Sequence, residues 1–247
     1  MQKVMAVCRN FLWSSSSEYK KPPLVKWEEV CRSKCEGGLG LKNLQVWNKA
    51  CIMKLIWDIA SKKDILWVKW VHSRYLKNKS IWSYENKPDD CYYWKKMMLV
   101  RKEFAGMPCS SEYTVKEGYK WLAGNQSRVE WAELVWNKTS VPKHQFIAWL
   151  IWRGKLLTKD RLSGLLPIDP TCIMCTKEKE TVDHLFCSCP FAVDIFLNVS
   201  GFIQFDLTSC SIAELGQKPK EGKNMKDRCF IAACIANCHL LLLHLQS

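Results

Sequence analysis

The stretch that most limits what this chain can fold into is Cys172-Ile173-Met174-Cys175, with His184, Cys187 and Cys189 close behind it. Two cysteines separated by two residues make a tight knuckle that aims both sulfurs at one point. A histidine and a further cysteine from the following segment complete a tetrahedron of the kind that suits Zn²⁺. Three thiolates and one imidazole leave no open coordination position, so a site of this composition is structural and not hydrolytic. The Cys-x-x-Cys pair alone would be equally compatible with buried, unliganded thiols; the spaced histidine and third cysteine favour a metal. The fourth ligand is left open by spacing. Cys187 lies three residues after His184, on the same face if a helix runs through both, whereas Cys189 stands just before Pro190, where a helix boundary is expected.

The remaining cysteines, among 14 in a chain of 247 residues, do not imply a disulfide scaffold. The opening residues Met1 to Phe11 lack an uninterrupted apolar core and a small-residue cleavage site, so thiols used as metal ligands or as small buried apolar groups are expected. The apolar run at residues 230–245 is shorter than the roughly 20 residues of a spanning helix, and Asn237, His239 and His244 interrupt it. The chain therefore reads as intracellular, in nucleus or cytoplasm, with no membrane partner. Its formal charge is +13, and Lys plus Arg exceed Asp plus Glu by 12 within residues 1–102 but fall short by 2 within residues 166–247. Such a basic excess favours a polyanionic partner, RNA or DNA being the usual one. The knuckle-bearing part, which gains further negative charge from bound thiolates, is a poor phosphate binder.

Apolar spacing of three and four residues predicts a mostly α fold: an N-terminal helical region joined to a small helical zinc-binding domain. A helix over residues 41–60 is expected to bury Leu44, Trp47, Cys51, Leu55 and Ile59, after a turn at Gly37-Gly38-Leu39-Gly40. A second stretch should place Leu66, Trp67, Trp70, Val71 and Leu76 near one face, and a helix over residues 92–103 carries Trp94, Met98 and Arg101. Gly106-Met107-Pro108 and Ser110-Ser111 read as a linker. Val141-Pro142-Lys143 opens an apolar helix through Trp152, proline being tolerated in a first turn, and Thr158 is placed to cap a short helix containing Arg161, Leu162 and Leu165. Tryptophans at helical spacing are core residues by default, which applies to Trp67, Trp70, Trp149 and Trp152.

Several of these segments together resemble a known family. Residues 143–150 (KHQFIAWL) and 155–162 (KLLTKDRL), the Cys172/Cys175 pair, and residues 180–191 (ETVDHLFCSCPF) are similar to the reverse transcriptase zinc-binding domain region of plant LINE-type, non-LTR retrotransposon polyproteins. The pattern in that family after the histidine is Leu, an aromatic pair, one variable residue and then Cys. Cys187 occupies the place of the second aromatic, so the resemblance implies the ligand set Cys172, Cys175, His184 and Cys189 around a structural Zn²⁺. Upstream, Phe11-Leu12-Trp13, Val25-Lys26-Trp27, Cys31, residues 34–41 and Asn48-Lys49-Ala50 resemble the segment that follows the polymerase in such elements. The likeness covers most of residues 9–196 and fades after Leu197, which reads as a truncated element. It implies a basic post-polymerase segment at 1–105, the zinc-binding domain at 106–200 and a degenerate helical tail at 201–247. The polymerase portion of the parent element becomes an expected partner.

Catalytic groupings are not found. Asp89-Asp90, the one Asp-Asp pair, lies in a Pro-led loop without the aromatic and Ala that precede a polymerase metal pair. The glycines at 37, 38 and 40 lack the Lys and Ser/Thr of a phosphate-binding loop, and no set of carboxylates resembles ribonuclease H. The chain is expected to be a non-catalytic accessory region that binds nucleic acid non-specifically. The alternatives are a protein-interaction or scaffold module, or a nonfunctional relic of a retroelement.

Overall fold

Helical spacing without alternating apolar runs gives a helical protein. The computed structural model describes residues 2–19, 21–77, 79–108, 112–138 and 140–222. Among them there is no strand, and the β pairing consists of one antiparallel bridge between Thr171 and Lys179. The chain divides into two compact units, Met1–Arg32 with Gly40–Ser127, and Ser33–Leu39 with Arg128–Ser247. The sequence-based divisions at 105/106 and 200/201 fall elsewhere. The helix at 115–123 packs in the first unit, and Leu207, Ile212 and Leu215 are buried in the core of the second. Buried apolar contacts, not the Gly/Pro-rich linker chemistry of residues 106–111, set the units. Residues 109–111 and the apolar run at 230–245 lie outside the described residues, and no described helix is long and apolar enough to cross a membrane.

The first unit contains α1 (Gln2–Ser14), α2 (Trp27–Val30), α3 (Leu44–Ala60), α4 (Leu66–Val71), α5 (Tyr92–Phe104) and α6 (Val115–Ala123). Asn43 starts α3 by accepting from the backbone N–H of Gln45 and Val46. The helix is where the spacing puts it and Ile59 is buried as expected, but the buried face runs through Ala50, Met53 and Ile56, whereas Trp47 and Leu55 are exposed. α3 is apolar nearly all round, so two stripes satisfy the same period, and only the positions of α5 and α6 against it decide which one is covered. α4 shows the same effect. Val68 and Val71 are buried while Leu66 and Trp70 are exposed, and the π-helical turn His72–Leu76 that follows brings Leu76 inward. Trp70 is therefore not a core residue; it meets Tyr75 edge-on, and Tyr75 stacks on buried Trp94 with ring centroids 4.5 Å apart. On α5, Trp94 and Met98 are buried as the periodicity predicts, and Arg101 Nη1 donates to the carbonyls of Ile81 and Tyr84.

α6 begins with a capping box between Thr114 and Glu117 and lies close to the buried ring of Tyr113, whose hydroxyl donates to Ala50 O of α3 at 2.7 Å. A Cβ at Gly118 would fall 1.8 Å from Tyr113 Oη and 2.6 Å from Cζ. Gly118 is thus required by the close approach of a fully buried, hydrogen-bonded ring. Gly118→Ala is expected to lower stability by about 1–3 kcal/mol through overpacking, despite a gain of up to ~1 kcal/mol in helix propensity. A urea unfolding midpoint equal to or above wild type would show that Tyr113 yields at no cost.

The second unit contains α7 (Ala132–Val135), α8 (Pro142–Trp152), α9 (Lys159–Ser163), α10 (Pro190–Ile203) and α11 (Ile212–Leu215). Pro142 opens α8 in its first turn, as expected. Trp149 is fully buried and its indole N–H donates to Gly37 O at 2.8 Å, which holds the Ser33–Leu39 segment in this unit. Trp152 is partly buried against the same core as Leu185, Phe186 and Phe196. Thr158 occupies the N-cap position of α9 but its hydroxyl makes no capping bond. The Glu180 carboxylate does that work instead, accepting from Lys159 N at 3.1 Å. Leu165 lies beyond this short helix and is exposed.

Candidate metal centre

Three local structures bring the cluster together. The first is the loop between Thr171 and Lys179. Cys172 N donates to Glu178 O at 2.8 Å, Thr176 N donates to Cys172 O at 2.9 Å, and Thr176 takes a left-handed conformation at φ 53. This tight reversal turns the sulfurs of Cys172 and Cys175 to one side. The second is a π-helical turn, His184–Ser188, entered through Thr181, whose hydroxyl accepts from His184 N. The third is the start of α10, where Cys189 in an extended conformation precedes Pro190.

Cys172, Cys175, His184 and Cys189 are all buried, and one donor atom from each lies within 4.8 Å of the other three. That spread is wider by about an ångström than the roughly 3.5–3.8 Å edges of a zinc tetrahedron built from Zn–S near 2.3 Å and Zn–N near 2.1 Å. His184 Nε2 faces Cys175 Sγ at 3.3 Å. The backbone N–H groups of Lys177 and Glu178, joined by His184 and Cys172, pull the Cys175 thiol down to about 6, while burial and the neighbouring cysteines push Cys189 up to about 11. The set fits a thiophilic cation: soft donors, buried, on backbone held by hydrogen bonds.

Cys187 is not brought into the cluster. The π-helical turn closes with Cys189 N donating to His184 O, five residues apart, and this wider turn carries residue 189, not residue 187, to the side of His184 Nε2. Cys187 is buried facing Ser209, whose hydroxyl lies 3.9 Å from its sulfur, beside a cavity of about 450 Å³ that Phe196 and Cys210 also line. Burial first, then the charges of Asp183, Glu214 and Cys210, push its thiol up to about 12.

Two carboxylates around the cluster escape a ligand search by residue type, because neither points a donor atom at its centre. Glu178 Oε2 lies 3.0 Å from His184 Nδ1, and buried Glu180 ties the loop to α9. The available signal was their position between the cysteine pair and the histidine, since ligating histidines usually have an outer hydrogen-bond partner.

Cys187 should remain a protonated, unreactive thiol through neutral pH, because its raised value leaves almost no thiolate below about pH 10. Iodoacetamide at pH 8 is expected to label exposed Cys8 and Cys91 in the native protein and to reach Cys187 only after unfolding, as read by peptide mass spectrometry. Rapid native labelling of Cys187 would contradict this burial.

The similarities to known proteins fall on the same region. Residues 113–196 match the family described as zinc-binding in reverse transcriptase. An Arabidopsis thaliana protein provisionally named a ribonuclease H protein is 39% identical over 75 residues, which is 30% of this chain and 12% of that protein. An uncharacterized mitochondrial protein of Arabidopsis thaliana is 28% identical over 102 residues, 41% of this chain and 66% of that one. The chain thus spans less than two thirds of the length of either relative. No solved structure matches it. The buried Cys/Cys/His/Cys cluster lies inside the matched segment, so residues 113–196 are similar to a reverse transcriptase zinc-binding region both in sequence and in donor set.

Proposed function

We propose that Cys172, Cys175, His184 and Cys189 bind one structural Zn²⁺. We further propose that the chain is a non-catalytic accessory region of a plant LINE-type, non-LTR retrotransposon reverse transcriptase that holds RNA or DNA without sequence preference. The observation that carries the zinc reading is the convergence of four buried donor atoms within 4.8 Å in the segment matched to the zinc-binding family. Zinc bound there would supply folding energy and no open coordination site. The chain's own groups prepare it: Lys177 and Glu178 N–H steady the Cys175 sulfur, and the Thr176 turn aims both cysteines.

A non-catalytic reading is supported by the surroundings of Asp89-Asp90. Asp90 accepts from Tyr84 Oη at 2.8 Å and from Lys87 N at 2.7 Å, so it clasps a loop and does not present a paired carboxylate. The nucleic-acid reading rests on charge, the excess of 12 in residues 1–102 against the deficit of 2 in residues 166–247. A second reading, a protein-docking module, draws on the exposed Leu66, Trp70 and Tyr93 of the first unit.

Zinc content and exchange test the first proposal. The purified chain should hold one zinc, lost on replacing Cys172, Cys175 or Cys189 by Ser or His184 by Ala, and kept in Cys187→Ser. Stripping the metal with a chelator should remove amide-exchange protection from residues 155–222 and leave α3, α5 and α6 protected. A zinc-free wild type, or equal loss over both units, would overturn this assignment.

Binding in a salt series tests the second proposal. Affinity of the whole chain for single-stranded RNA or DNA should fall log-linearly with salt, by about 0.7–0.9 per phosphate contacted. Charge reversal at Lys79 and Lys102 should shallow that slope with no change in base preference. Binding that is insensitive to salt, or self-association through apolar surface without nucleic-acid affinity, would favour the docking reading.

A further inference from the structure

We propose that Glu178 is a positioning residue for His184: its carboxylate accepts a hydrogen bond from Nδ1–H and thereby presents the Nε2 lone pair to the metal. The proposal rests on the zinc reading of the cluster. A neutral imidazole has one N–H and one lone pair, and a ligating ring must keep the lone pair on the metal side. Here the two nitrogens have distinct neighbours. Nε2 faces Cys175 Sγ at 3.3 Å, and Nδ1 faces Glu178 Oε2 at 3.0 Å. The other polar atom near Nδ1 is Ser188 Oγ at 3.5 Å, at the outer limit of a hydrogen bond.

Glu178 is fixed at three points, and each of them serves the cluster. Its carbonyl accepts from Cys172 N at 2.8 Å, its N–H favours the Cys175 thiolate, and its carboxylate reaches the histidine. One residue of the knuckle loop is thus in contact with three of the four candidate ligands. The His184 side chain is 5% exposed, so bulk water has little access to replace the carboxylate at Nδ1, whereas the Glu178 side chain is 70% exposed. As a surface ion pair, a carboxylate so exposed would contribute little. Its influence comes through the tautomer and orientation of a ring that is itself buried, and a metal on Nε2 makes Nδ1–H a stronger donor to it.

The test measures zinc affinity of the whole chain by competition with a chromophoric chelator, in wild type, Glu178→Ala, Glu178→Gln and the surface control Glu221→Ala. Glu178→Ala should weaken zinc binding about 10–100-fold. Glu178→Gln, which keeps an acceptor oxygen, should lose distinctly less, and Glu221→Ala should match wild type. Nitrogen-15 NMR of the zinc-loaded protein should show the slowly exchanging Nδ1–H of His184 in wild type and its loss in Glu178→Ala. Should Glu178→Ala fail to fold even with zinc, the Gln variant and the Nδ1–H signal decide. Unchanged affinity in Glu178→Ala overturns the proposal, as does a loss in Glu178→Gln as large as in Glu178→Ala, or a similar loss in Glu221→Ala. A wild-type chain that binds no zinc overturns the metal centre itself, and this proposal with it.

Discussion

Burying three thiols and an imidazole at one place imposes a demand that the surrounding chain must meet. Polar groups withdrawn from water need partners, and sulfurs aimed at each other repel once ionised. Most of the local structure between residues 158 and 190 answers that demand. The Thr171–Lys179 bridge closes the loop, Thr176 adopts a strained left-handed conformation, Thr181 receives the His184 N–H, and Glu180 fastens the loop to α9. The apolar core of the unit then packs around the cluster, with Leu185 and Phe186 buried from the turn that carries His184 and with Ala192 and Phe196 buried from α10. A tetrahedral cation would satisfy all four donors at once.

The first unit is built on a different principle. Met53, Ile56 and Ile59 of α3 meet Trp94, Met98 and Phe104 of α5, and Tyr113 joins α3 to the N-terminal end of α6 through one buried hydrogen bond. No metal is needed to explain that core. Its aromatic residues interlock edge-to-face and stacked, Tyr75 on Trp94, Tyr84 on Trp94, Phe104 on Tyr113, arrangements that add to simple burial. Apolar packing leaves most of the lysines and arginines of this unit at the surface, where long-range attraction would act on the proposed polyanion.

Composition, charge and spacing therefore divide the labour along the chain in a physically consistent way. Thiolates close to phosphates would repel them, and the part rich in cysteine ligands is also the part short of basic residues. The basic excess lies in the part whose core is apolar and aromatic and holds none of the four cluster residues. This division underlies the proposal that one part is stapled by metal while the other meets nucleic acid.

The helices around residues 44–60, 92–104 and 142–152, and the cysteine and histidine positions able to meet, were legible because they follow from local chemistry. Asn43 caps α3, Pro142 starts α8, and Cys-x-x-Cys makes a knuckle wherever the chain goes. What the sequence left open were choices between locally equivalent solutions. Trp47 and Leu55 lie on one apolar stripe of α3 and Met53 and Ile56 on another, and only the packing of α5 and α6 determines which is covered. Trp70 satisfies the period of α4 but is exposed, because Val68 and Val71 carry the buried face of that helix. Spacing leaves Cys187 and Cys189 both within reach of His184; the family resemblance points to Cys189, and the hydrogen bond from Cys189 N to His184 O shows how the chain brings that residue to the ring. Glu178 carries no signature as a partner of His184, because its role depends on a distance across the loop that residue spacing does not encode. Periodicity and ligand spacing are properties of one segment and can be read from it. Which face is buried, which thiol turns inward and which carboxylate meets a ring nitrogen are set by contacts between segments, and only the tertiary structure decides them.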